Sequence, residues 1–98
     1  MYKVVYLPTA RQQLTDAVLY IAQELSNPAA AESLLDEVEK QVGSLKEMPY
    51  RFSVYPALYA MKREIRSVPV KEYILFYTIL EEEKTVEIWR FLHQRQKR

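Results

Sequence analysis

The chain has 98 residues, 49% of them apolar, with no cysteine, one glycine, one histidine and a formal net charge of +1. That length suits a single domain, 1–98, with one modest core. The missing thiols exclude a disulfide scaffold, thiolate metal sites and cysteine catalysis. The charge is divided, −3 over residues 1–50 and +4 over residues 51–98, so the second half is the one suited to an anion, or the two halves simply carry ordinary solvated faces.

Residues 2–7 alternate as a strand and run on without the apolar stretch of a signal peptide. Pro8 and Thr9 stop the strand, and Thr9 with Gln12 three residues later forms the pattern of a capping box. Ala10, Leu14, Ala17, Val18, Ile21 and Leu25 then recur at helical spacing, to an end near Ser26. Asn27-Pro28 restarts the chain as an N-cap and a first helical residue. Ala31, Leu34, Leu35, Val38, Val42 and Leu45 give a second apolar stripe, interrupted by Gly43 and limited by Pro49. Two amphipathic helices with so short a joint form an antiparallel hairpin.

Tyr50 to Tyr59 is aromatic with little periodicity and reads as a connection with at most one short strand. Residues 61–68 read as a strand, and Pro69 marks a strand end, edge or bulge. Residues 73–80 are apolar on both faces, the pattern of a central strand covered on both sides. After an acidic turn at Glu81–Lys84, alternation over 85–92 places Val86, Ile88 and Leu92 with Arg90 on one face, and Glu87, Trp89 and Phe91 on the other. The predicted order is β-α-α-β-β-β: an α+β fold of two layers, a helical hairpin on one face of a mainly antiparallel four-stranded sheet. The other face then needs a partner, a loop or the aromatic connection to cover it. No run approaches the length needed to span a bilayer, so a soluble, cytoplasmic protein is expected.

Catalytic constellations are scarce. No serine sits in a nucleophile-elbow context, one histidine cannot build a typical zinc site, and one glycine leaves no phosphate-cradling loop. No metal or cofactor is expected. What remains is basic and aromatic: Lys62, Arg63, Arg66 and Lys71 around one strand, Arg90, His93 and Arg95 on the last strand and its tail. RNA carries its own nucleophile, the 2′-hydroxyl, so its cleavage needs only proton transfer and cations for the phosphate. His93 is of the right class for the proton transfer, and Arg66, Arg90 or Arg95 could supply the cations. Equally, His93 reads as a surface histidine and Arg90 as half of a structural ion pair.

The segment Arg66-Ser-Val-Pro-Val-Lys-Glu-Tyr73-Ile-Leu-Phe-Tyr77 resembles the Arg-x-Leu-Pro-Val-x-x-Tyr-x-x-x-Tyr stretch of the RelE/ParE superfamily of toxins, the plasmid-stabilisation proteins of type II toxin–antitoxin pairs. Val86-Glu-Ile-Trp-Arg90-Phe-Leu-His93-Gln-Arg95 is similar to that superfamily's closing strand and His-x-Arg tail. The Pro8-Thr9-Ala10 start, Tyr20-Ile21-Ala22 and the Leu45–Pro49 helix end, with Met48 in place of Phe, add to the likeness. The resemblance implies a RelE-like fold with the first strand beside the last, and a cytoplasmic toxin neutralised by a cognate antitoxin. It also implies one of two activities on the same scaffold. One is a metal-independent mRNA interferase, an endoribonuclease acting on mRNA at the ribosome, with His93, Arg66 and Arg95 catalytic; this is the leading expectation, and the other basic residues read above, Lys62, Arg63, Arg90 and Lys71, are then expected to bind the RNA. The other is a non-enzymatic inhibitor of DNA gyrase, and a degenerate toxin that binds only its antitoxin is a third. The chain departs from the RNA-cutting pattern in having no tail tyrosine and no further histidines.

Overall fold

A computed structural model describes residues 1–56 and 63–96. Along the chain run β1 (Lys3–Tyr6), α1 (Pro8–Leu19), a π-helical turn (Tyr20–Glu24), α2 (Pro28–Glu47), a 3-10 turn (Pro49–Arg51), β2 (Arg66–Val70), β3 (Tyr73–Leu80), a second 3-10 turn (Glu81–Glu83) and β4 (Thr85–His93), followed by a last turn at Gln94–Gln96. The sheet order is β1-β4-β3-β2. β1 runs parallel to β4, with Lys3 opposite Thr85, and the other two pairings are antiparallel. Two helices on a four-stranded mixed sheet is the expected α+β architecture. Among the described residues no helix is long and apolar enough to cross a membrane.

The start of α1 differs from the sequence expectation. Pro8 occupies the first helical position and Leu7 is the N-cap, without a side-chain cap. Proline's fixed φ suits that position, where an amide hydrogen would go unused. The Leu7 N–H is meanwhile committed to the Ile88 carbonyl (3.0 Å). Thr9 therefore lies inside the helix, no capping box forms, and the Gln12 side chain donates instead to Asp16 (2.7 Å). At the other end the helix widens. Leu25 N–H reaches the Tyr20 carbonyl (3.1 Å), Asn27 N–H reaches that of Ile21 (3.1 Å), and Ser26 takes φ 49° to reverse the chain. The Asn27 side chain then accepts from Ala30 N–H (3.1 Å) as the N-cap of α2.

The core lies between the hairpin and the sheet. Leu34, Val38 and Leu45 of α2 and Ala10 and Ala17 of α1 meet Val68, Val70, Leu75, Tyr77, Val86, Ile88 and Phe91. Alanine at the α1 contacts lets that helix lie close over β4. Burial of each Leu or Val side chain here is worth about 1.5–3 kcal/mol.

A β-bulge decides the faces of β4. Tyr77 pairs with Ile88 but Phe76 pairs with Arg90, so Trp89 has no partner. One extra residue reverses the alternation beyond it. Val86, Ile88 and Phe91 therefore share the helix face, and Leu92 joins the outer face with Trp89. The expected grouping of Leu92 with Val86 and Ile88, and of Phe91 with Glu87, is corrected by this single insertion.

The described part of the connection packs on the outer face through Tyr55 and Ile65. Ile65, Ile74 and Phe76 are buried there, with Tyr55, Trp89 and Leu92 packed around them. The Tyr55 ring meets Phe76 edge-on at 5.3 Å, and its N–H donates to the Ile65 carbonyl (2.6 Å). An antiparallel bridge of Val54 to Arg66 fixes this return along the sheet edge. The strand expected at 61–68 begins at Arg66 and runs through Pro69. An edge strand tolerates proline, which lacks only a donor. Residues 63–65 are not strand, and 61 and 62 lie outside the described residues.

Polar ties join the layers. Tyr77 is fully buried, and its hydroxyl donates to the Pro49 carbonyl (2.6 Å) just past α2. Burial pushes that hydroxyl's pKa up to about 12. At the surface, Glu81 accepts from the hydroxyls of Tyr2 (2.8 Å) and Tyr50 (2.6 Å) and pairs with Lys84. The acidic turn expected at Glu81–Lys84 is thus also a junction of β1, the end of α2 and the β3–β4 turn.

Tyr77→Phe should lower stability in urea unfolding by about 1–3 kcal/mol, because the Pro49 carbonyl loses its buried donor. A change within error would mean that water replaces the hydroxyl. Lys84, then Tyr50 and Tyr2, hold the Glu81 pKa down from 4.5 to about 2. A depressed carboxylate contributes stability that is present above the unfolded pKa and lost as pH falls through the folded one. The melting-temperature gap between the parent and Glu81→Gln should therefore be widest above pH 4.5 and close towards pH 2; a gap independent of pH would refute the role.

Candidate functional site

The bulge aims His93 at the helix side, opposite Tyr73. Tyr73 stacks on Phe91 (5.0 Å between ring centroids, 7° between planes) and meets His93 edge-on (5.1 Å). The imidazole is held by its own chain. Its Nδ1 accepts from Arg95 N–H (3.2 Å), and its Nε2 lies 3.4 Å from a Glu72 carboxylate oxygen. With Nδ1 accepting, the neutral ring carries its proton on Nε2, towards Glu72.

Beside this cluster α1 and β4 enclose a groove of about 500 Å³ lined by Gln13, Asp16, Ala17, Tyr20, Phe91 and Arg95, among others. Around Tyr20, Tyr73, His93 and Arg95 it continues into a second hollow of about 450 Å³, walled by Ile21, Leu25 and Leu34 and by the turn at Lys71 and Glu72. Leu25 is 55% exposed and Tyr20 54% exposed, large apolar surface at the tip of the hairpin. The π-helical turn brings them there.

Arg66 is elsewhere. It pairs with Tyr77 on the far side of β3, whereas His93 pairs with Tyr73. Four residues along β3 and two strand spacings across separate them, about 13 Å by about 10 Å. The Arg66 side chain is only 16% exposed. It donates to the Phe52 carbonyl (2.6 Å), approaches Glu64 (3.4 Å) and lies over the Tyr50 ring (5.1 Å). Those contacts make it a strut holding the connection onto the sheet.

The other predicted cations scatter. Arg63 reaches Glu87 (3.8 Å) on the outer face. Arg90 lies over Trp89 (4.4 Å) and donates to that residue's carbonyl (2.7 Å), so its partner is an aromatic neighbour and not a helix carboxylate. Lys71 caps the β2–β3 turn with φ 55°. Lys62 lies outside the described residues. Of the predicted set, His93, Arg95 and Lys71 share the groove region, and Arg63, Arg66 and Arg90 do not. Tyr20 and Gln13, which also line it, were missed; an exposed aromatic at the end of the first helical stripe was the available signal for Tyr20.

Arg66→Ala should cost about 1–3 kcal/mol in urea unfolding, from a charged hydrogen bond and a stacked ring lost together. A loss below about 0.5 kcal/mol, the level of an ordinary surface change, would leave Arg66 without a structural duty.

The family model described as "ParE toxin of type II toxin-antitoxin system, parDE" matches residues 4–98. A chain of the chromosomal ParDE toxin–antitoxin system from P. aeruginosa superposes with a TM-score of 0.71 at 17% identity, covering 95% of this chain and 96% of that one. A chain of the RelBE2 toxin–antitoxin complex from Mycobacterium tuberculosis superposes with a TM-score of 0.63 at 27% identity, covering 95% and 98%. Among curated proteins no sequence matches.

Proposed function

The chain belongs to the ParE toxin family of type II toxin–antitoxin systems, and from that premise we propose that it is a toxin that acts by binding, as a non-enzymatic inhibitor of DNA gyrase. An antitoxin partner accords with the toxin–antitoxin complexes whose chains it resembles.

The observation that carries this reading is the separation of Arg66 from His93. Metal-independent RNA cleavage needs proton transfer and phosphate stabilisation at one phosphorus atom. Arg66 is committed to Phe52, Glu64 and Tyr50, and both nitrogens of His93 face groups of its own chain. The family match adds weight, since ParE-like relatives are the gyrase-directed branch of this resemblance. The RNA-cleaving reading keeps one supporting observation: His93 and Arg95 line a single groove with Tyr20 and Tyr73.

His93→Gln separates the two. General acid–base catalysis contributes about 10²–10⁴-fold, so a ribonuclease would lose at least about 100-fold in mRNA cleavage and with it its toxicity. The binding reading predicts that the variant arrests growth as the parent does. It also predicts that the purified parent inhibits gyrase supercoiling and leaves mRNA ends in a translating extract unchanged. Histidine-dependent cuts in that extract would overturn it.

A further inference from the structure

β1 is a margin of the sheet, and part of its outer flank is open. Lys3 N–H donates to the Lys84 carbonyl (2.9 Å) and Leu7 N–H to that of Ile88 (3.0 Å). Main-chain groups alternate in direction along a strand, so Lys3, Val5 and Leu7 face β4 while Tyr2, Val4 and Tyr6 face away. Tyr2 follows this alternation, since its N–H leaves the sheet and meets the Lys46 carbonyl at the end of α2 (2.8 Å). Among the described residues no strand and no main-chain group meets Val4 or Tyr6 on that flank. An unpaired margin is a template for a further strand.

The open stretch is short and bounded at both ends. α2 closes it at Tyr2 through Lys46, and Pro8 turns the chain into α1 at the other end. An occupant must match the N–H and C=O of both Val4 and Tyr6. It must also leave the flank opposite Tyr2, where α2 stands. A second copy of β1, turned antiparallel with Val5 on the two-fold axis, meets both conditions. Val4 then lies opposite Tyr6 of the other copy, and each such pair exchanges both of its hydrogen bonds. Tyr2 lies opposite Pro8, where the other copy has already turned away into its own helix.

The charges suit the same register. Arg11, one turn into α1, lies over the Tyr6 ring (5.5 Å), and Glu47 follows Lys46 at the end of α2. Both are exposed, and among the described residues neither is in an ion pair. The two-fold carries Arg11 of each copy towards the α2 end of the other, where Glu47 and the carbonyl end of the helix dipole attract a cation.

We propose that two copies of this chain associate through β1, joining two four-stranded sheets into one. The contact is isologous and small, so the association is weak and depends on concentration. It is independent of which target the toxin acts on.

Sedimentation velocity of the full chain, from about 10 µM to about 1 mM, should show the mass rising from one chain towards two. At the upper end the Val4 and Tyr6 amides should exchange about tenfold slower or more. Val4→Pro removes an outward donor and spares the ladder to β4, a place where a strand tolerates proline. It should weaken association about tenfold or more, through the hydrogen bonds lost on both sides of the axis, while keeping the Trp89 emission of the parent. Arg11→Glu and Glu47→Arg should each weaken association, and the double exchange should restore it, which a merely structural role would not do. Should Val4→Pro not fold, the charge exchange decides alone. A parent that stays monomeric to about 1 mM overturns the proposal. Val4→Pro associating like the parent, or a double exchange that restores nothing, does the same. A monomeric parent whose Val4 and Tyr6 amides gain protection only when the product of the adjacent open reading frame is added gives the flank to that protein and also overturns the dimer.

Discussion

One unpaired residue governs the arrangement of this sheet. With Trp89 left out of the ladder, β4 presents Val86 and Ile88 to the helices before the bulge and Phe91 after it. Without the insertion Phe91 would face outward, and the stack of Tyr73 on Phe91 could not form. The same residue serves the other layer, where Trp89 meets Phe76 edge-on at 6.4 Å and carries Arg90 on its ring. A bulge concentrates twist and re-aims side chains. Here it supplies apolar groups to two faces of one strand and turns the only histidine towards the helical side.

Much of the basic and aromatic content that suggests chemistry is taken up by architecture. Arg66 lies on Tyr50, Tyr50 bonds to Glu81, and Glu81 also holds Tyr2 and Lys84. This relay joins the first strand, the end of the long helix, the sheet edge and a turn. Tyr77 performs a similar task in the interior through Pro49. Cations and phenols so engaged are poor reserves for catalysis, which favours a surface that recognises another macromolecule. The remaining apolar exposure at Tyr20 and Leu25, next to the groove, is consistent with such a surface.

The order of elements was legible because each carries its own period. The two helical stripes, the Asn27-Pro28 joint and the doubly apolar run at 73–80 are local signals, and local signals survive folding. The faces of β4 were not legible, since nothing in Val86–Leu92 marks which residue drops out of the ladder. Thr9 misled because proline at the first helical position competes with a threonine cap, and the chain followed the proline. Pro69 was compatible with a strand end, an edge or a bulge, and only the sheet order, with β2 at the margin, selects the edge. For the site, residue type identified His93 and Arg95, which do share a groove. Arg66 looked like a ligand because its partners, Phe52 and Tyr50, are distant in sequence and invisible to spacing.

The parallel pairing of the first strand with the last has a consequence for how the molecule comes into being. Lys3–Tyr6 can find Thr85–Ile88 only after the two helices and the two intervening strands have been synthesised. At about 5–20 residues per second, the ribosome holds the opening strand without its mate for several seconds. Closing so long a loop is also entropically costly and slow compared with forming the helical hairpin. The hairpin can thus form before the sheet, which closes only once Thr85–Ile88 is available. The order in which the layers can form is thus written into the topology, helices first and the flank of the sheet last.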